Sequence, residues 1–250
     1  MYRLIFCSGF ILIVLLVAAI SISEAQNTEY SSDSTIVYNS NYTRLLFSPS
    51  GRPLPKGEGF ISDFYIFLPS ITYAFTDNIS LMGGFFVWFI PEHIGKLKYA
   101  AVMFGHQLIE TFAVSAGVLY LDFPDVKAGI SYSVISIGSA RRQLSLGIGL
   151  RYSKTEDHDF RFSKHPIIMV GANINITQNH ALILENWFIN SDNFKFSEQP
   201  YALAHRTIKG RQTFDLGMII VPSIIAETGI PRPWVNIMPW INWIYNFGGK

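Results

Sequence analysis

Residues 143–152 alternate without a break. Leu144, Leu146, Ile148, Leu150 and Tyr152 are apolar, and Gln143, Ser145, Gly147, Gly149 and Arg151 stand between them. On a helix the apolar members would scatter around every face, whereas on a strand they line one side. The run has about the ten-residue length of a tilted strand that crosses a bilayer. The same period recurs elsewhere. Phe214, Leu216, Met218 and Ile220 oppose Arg211, Thr213, Asp215 and Gly217. Ala128, Ile130, Tyr132 and Val134 oppose Lys127, Gly129, Ser131 and Ser133. Two further runs, 112–120 and 168–176, read the same way.

In each run one face is large and apolar, and the other is mostly Gly, Ser, Asn and Thr. A soluble barrel would put charge on its outer face, but only 15% of this chain is charged against 49% hydrophobic, where roughly 25% charged is ordinary. The pattern predicts lipid on the greasy face and a crowded or wet lumen on the small one. Lipid also demands that every backbone N–H and C=O be paired, so the sheet should close on itself. The net charge of +1 excludes the clustered basic excess that nucleic acid binding requires.

The start of the chain reads as a cleaved signal peptide. Arg3 gives a basic start, residues 10–20 are apolar, and Ser23-Glu24-Ala25 supplies small residues before a cleavage point at Gln26. A transmembrane anchor is the competing reading, but the polar stretch 26–40 follows without a basic stop-transfer flank. The single cysteine, Cys7, falls within this leader, so the mature chain has no disulfide or thiolate metal site to offer. The expected organisation is a signal peptide over 1–25, a flexible mature N-terminus over 26–41 and a barrel over 42–250.

Connections alternate in length. Those at 76–78, 109–110, 139–142 and 177–179 are tight, and those at 91–96, 154–164 and 190–210 are longer and polar. Short turns on one rim and long loops on the other are the outer-membrane pattern, with tight turns and both termini toward the periplasm. Strands are predicted over 57–75 (bent near Pro69), 79–89, 98–108, 111–123, 126–137, 143–152, 166–176, 181–189, 211–221 and 234–247. Two more, near 44–47 and 223–228, are needed for orientation and parity. The fold expected is all-β, a closed antiparallel transmembrane β-barrel of about twelve strands, with ten as the alternative.

Ile241, Trp243, Tyr245 and Phe247 alternate with Asn242, Ile244 and Asn246, resembling the closing strand by which outer-membrane barrels are recognised by their assembly machinery. Gly248-Gly249-Lys250 after Phe247 departs from the usual form, in which the aromatic comes last. Three further blocks, Arg44-Leu45-Leu46-Phe47-Ser48-Pro49, Leu54-Pro55-Lys56-Gly57-Glu58-Gly59-Phe60 and Tyr73-Ala74-Phe75-Thr76-Asp77-Asn78-Ile79-Ser80, with Gly83-Gly84 beyond them, resemble a Gram-negative family of outer-membrane β-barrel proteins of uncharacterised function. The resemblance implies location and fold and carries over no catalytic residue.

Five charged residues are assigned to the lumen: Lys127, Arg151, Glu185, Arg211 and Asp215. Charge at such depth is costly unless paired. They read either as a binding site or selectivity filter, or as a salt-bridged filling of a narrow bore, and the second is preferred. The histidines are dispersed, with no nucleophile elbow or local Ser–His block. His158 beside Glu156, Asp157 and Asp159 could hold a divalent ion, although a solvated acidic loop accounts for it. No cofactor is expected, and the expected partners are outer-membrane lipid and the assembly machinery. Oligomeric state is left open. The reading preferred is a non-enzymatic barrel, structural or a narrow passive channel. The alternatives are a barrel enzyme acting on membrane lipid or lipopolysaccharide, and a secreted soluble barrel binding an apolar ligand.

Overall fold

The structure is a computed structural model that describes residues 41–87, 97–124, 126–155, 158–189, 199–221 and 237–249. The leader and most of the polar N-terminal stretch, the proposed strand at 223–228, and Glu156 and Asp157 lie outside the described residues. Thirteen strands are present among those described: β1 (Gly59–Phe64), β2 (Leu68–Ala74), β3 (Ile79–Phe85), β4 (Lys98–Ile109), β5 (Phe112–Asp122), β6 (Val126–Gly138), β7 (Arg142–Thr155), β8 (His158–Phe162), β9 (Ile167–Asn175), β10 (His180–Ile189), β11 (Tyr201–Lys209), β12 (Gln212–Ile220) and β13 (Ile237–Phe247).

Every pairing is antiparallel, and the circuit closes. β1 pairs with both β2 and β13, and β7 pairs with both β6 and β9. The result is a closed twelve-strand barrel, with β8 paired only to the far end of β7. Closure leaves the barrel wall no open edge. The turns after β2, β4, β6, β9 and β11 share one rim with the start of β1 and the end of β13.

The outer face is a belt of exposed apolar side chains, among them Ile71, Leu81, Val102, Phe104, Val118, Leu146, Ile148, Leu150, Phe214, Leu216 and Trp243. On β7, β9, β12 and β13 the face predicted to be greasy points outward, while Ser145, Asn173, Asp215 and Asn242 are buried inside.

Strand β6 corrects one predicted face. Val134 is buried and Ser133 and Ile135 are exposed, so Ala128, Ile130, Tyr132 and Val134 line the lumen, and Lys127 points outward. The apolar residues change phase between Val134 and Ile135, yet the register with β7 runs unshifted from Val126 to Gly138. A strand without a bulge cannot turn both apolar sets outward.

Two strand boundaries also differ. Residues 57–75 are not one bent strand but the hairpin β1–β2, reversing at Tyr65-Ile66 with φ of 57° and 69° and closed by Phe67 N–H donating to Phe64 O at 3.1 Å. Both central residues are left-handed, the geometry of a type I′ turn. With that reversal the chain enters β1 at the tight-turn rim, and no outward strand at 44–47 is needed. The polar loop expected over 190–210 contains β11.

Candidate functional site

What residues 44–47 form is a second hairpin, and it lies inside the barrel. Arg44 and Pro49 make an antiparallel bridge. Leu45 N–H donates to Ser48 O at 2.9 Å, and Ser50 N–H donates to Thr43 O at 2.8 Å. Leu45 and Leu46 have no exposed surface. The segment 41–56 therefore rises into the lumen from the tight-turn rim, turns at 46–48 and returns to β1.

The wall holds this hairpin by polar contacts on seven strands. Near the rim, Arg52 donates from Nε to Gln143 Oε1 at 3.0 Å, from Nη1 to Gln107 Oε1 at 2.9 Å and from Nη2 to the carbonyls of Glu110 and Gly138. Ser115 Oγ donates to Ser50 O at 2.8 Å, and Gly51 N–H donates to Ser136 Oγ at 2.8 Å. Gly51 sits so close to the wall that a Cβ there would lie 2.5 Å from Ala113 O, which is why a side chain is excluded at this position. Arg44 Nη1 reaches Ser62 Oγ on β1 at 3.3 Å.

Deeper in, Glu185 on β10 caps the hairpin tip. It accepts from Leu46 N–H at 2.8 Å, Phe47 N–H at 3.0 Å and Ser48 N–H at 2.9 Å. Trp187 Nε1 adds a bond to Ser48 Oγ at 3.2 Å. On β11, Arg206 forms a two-pronged ion pair with Asp215 of β12 at 2.7 and 2.9 Å. The same guanidinium donates to the carbonyls of Asn41 at 3.0 Å and Leu45 at 2.9 Å. Glu185, Arg206 and Asp215 are wholly buried. Charges so placed hold only because each is paired or saturated with donors.

Of the five charges assigned to the lumen, the structure puts Glu185 and Asp215 at the hairpin. Lys127 is exposed on the outward side of β6, and Arg151 is exposed beyond Gly149, where the pairing of β7 with β9 ends. Arg211 is exposed at the β11–β12 turn. Arg44, Arg52 and Arg206 were missed. One signal pointed to an insert: inward positions such as Ser115, Ser145, Gly147 and Gly171 are too small to fill a twelve-strand bore by themselves.

Beside the hairpin and beyond its tip the lumen changes character. A cavity of about 310 Å³ is walled by Phe60, Phe64, Leu68, Met82, Ala101, Met103, Leu119, Leu121 and Tyr132, and a second of about 230 Å³ by Ile130, Val134, Ile167, Met169 and Trp187. Phe47 and Pro49, at the hairpin tip, border both. Phe47 packs on Trp240 at 4.1 Å and Trp187 at 5.3 Å between ring centroids. The bore is thus divided: the hydrogen-bonded hairpin fills one side of it, and an apolar chamber runs alongside, from Leu54, Phe60 and Ser80 near the tight-turn rim to Leu68 and Phe123 toward the other.

Among the described residues, no group of three or more His, Cys, Asp or Glu side chains is gathered as a metal site would need. His180 and His205 stack at 5.1 Å near the tight-turn rim, where His205 is exposed on the side of β11 opposite Arg206.

No family model matches the chain, and no curated protein matches it in sequence. Its fold is similar to that of a KdgM porin, with a TM-score of 0.47 and 6% identity over 78% of this chain and 99% of that one. It is also similar to KdgM porin in complex with disordered oligogalacturonate, with a TM-score of 0.43 and 6% identity over 76% and 95%. The closed twelve-strand pairing and the apolar outer belt are, on their own evidence, those of an outer-membrane β-barrel.

Proposed function

We propose that this protein is an outer-membrane barrel whose lumen is a narrow, hairpin-closed route for small apolar or amphiphilic solutes, entered from the long-loop rim. The observation that carries this reading is the division of the bore. Hairpin 41–56 fills the polar side of the bore, and the chamber beside it is lined by Phe60, Met82, Met103, Leu119 and Tyr132. An open water-filled pore has a polar interior, whereas these walls would strip a hydrated ion of its water and return little. The tight-turn rim then faces the periplasm. The outward ladder Trp243, Tyr245 and Phe247 on β13 is the surface offered to the assembly machinery.

Planar-bilayer recording of the purified protein tests the closure. The full chain should give only rare, small openings, and deletion of residues 41–56 should give steady conductance many times larger. Steady ohmic conductance from the intact barrel would overturn this reading.

A further inference from the structure

Three buried polar atoms without a hydrogen-bond partner belong to side chains that line the same apolar chamber: Arg44 Nε, Thr72 Oγ1 and Tyr65 Oη. Arg44 and Thr72 are each 7% exposed. Arg44 is the only charged side chain among the described residues lining the cavity. Its guanidinium lies over the Phe64 ring at 4.5 Å and uses Nη1 and Nη2 on Ser62 Oγ and Leu46 O, leaving Nε–H free. The neighbouring carboxylates are committed elsewhere. Asp215 is taken by Arg206 and Asn242, and Glu185 by three backbone N–H groups. The chamber therefore has greasy walls and, among the described residues lining it, one cation with an unpartnered donor and the unpartnered hydroxyls of Thr72 and Tyr65. An apolar pocket with a few convergent polar groups is the ordinary form of a small-molecule site.

We infer that the chamber binds a single-chain amphiphile bearing one carboxylate, with the alkyl chain along Met82, Met103, Leu119 and Leu121 and the head group at Arg44 and Thr72. One cation suits one negative charge, and a guanidinium offers planar donors matched to a carboxylate. Apolar walls supply affinity without discrimination, and the buried donors supply the preference for a charged head. The inference rests on the chamber proposed above as a route for apolar solutes and adds the class of its ligand.

The test is calorimetric titration of the full barrel in maltoside micelles with decanoate and with decan-1-ol. Decanoate should bind at least tenfold more tightly. Arg44→Gln should erase that difference while leaving decanol binding in place. Ala101→Phe, which fills the chamber without touching the hairpin contacts, should weaken both ligands, and heat-modifiable gel mobility reports that each variant is folded. Equal affinities in the unaltered protein, or a decanoate preference that survives Arg44→Gln, would overturn the carboxylate inference and leave the chamber standing. Binding of neither ligand, or binding of both unaffected by Ala101→Phe, would overturn the chamber as well.

Discussion

Arg206 and Asp215 sit opposite each other on adjacent strands, Nε to Oδ1 at 2.7 Å and both wholly buried, and Arg206 also holds the carbonyls of Asn41 and Leu45. One ion pair in the wall is thus also the anchor of the plug.

Asp215→Asn leaves the Arg206 charge buried with no counter-charge in contact, and the expected cost is about 3–5 kcal/mol. The double replacement Arg206→Met with Asp215→Leu removes both charges and should cost less than Asp215→Asn alone. Urea unfolding in lipid vesicles measures both, and a double variant less stable than the single one would count against the pairing.

Glu185→Ala strips the acceptor from three hairpin N–H groups, at about 1–3 kcal/mol for each group left unsatisfied. Hydrogen exchange at Leu46, Phe47 and Ser48 should accelerate at least tenfold, while exchange in β5 and β6 stays unchanged. Undiminished protection at those three amides would show that something else holds the tip.

Gly171 lies beneath the hairpin. A Cβ placed there meets Leu45 Cδ1 at 2.2 Å. Gly171→Ala should therefore raise channel activity by pushing the hairpin off its seat, and adding Leu45→Ala should lower it again by removing the clashing methyl. Bilayer recordings of the two variants side by side decide the point, and identical traces would remove Gly171 from the account.

The β1–β2 turn holds Ile66 at φ 69°, a left-handed conformation that a β-branched residue resists. Its side chain is 75% exposed, so little packing offsets the strain. Ile66→Gly should stabilise the barrel by about 1 kcal/mol, read as a higher temperature of the heat-modifiable transition. A lower transition temperature would mean that the Ile66 side chain contributes packing after all.

The same turn shows why parts of the fold were hidden in the sequence. Phe64-Tyr65-Ile66-Phe67 contains no Gly, Pro, Asn, Asp or Ser to mark a reversal, so β1 and β2 read as one strand. β11 was hidden for another reason. Its inward face runs Ala202, Ala204, Arg206 and Ile208, and Arg206 breaks the apolar alternation. An arginine at that depth becomes tolerable only with Asp215 opposite, and that neighbour is a property of the pairing. The face of β6 turned on its phase change at Val134 and Ile135, which only the unshifted register with β7 resolves into inside and outside.

The sequence by itself determined the period-two strands, the closed all-β barrel and the outward faces of β7, β9, β12 and β13. Alternation is a local consequence of the strand's geometry, so ten consecutive residues suffice to display it. Only the tertiary structure decided that residues 41–56 fold back into the bore and that an apolar chamber, with Arg44 in its lining, lies beside them. Those outcomes depend on contacts such as Leu46 with Glu185, 139 residues apart in the chain. No local pattern encodes a meeting at that distance, because it exists only once the barrel has closed around the hairpin.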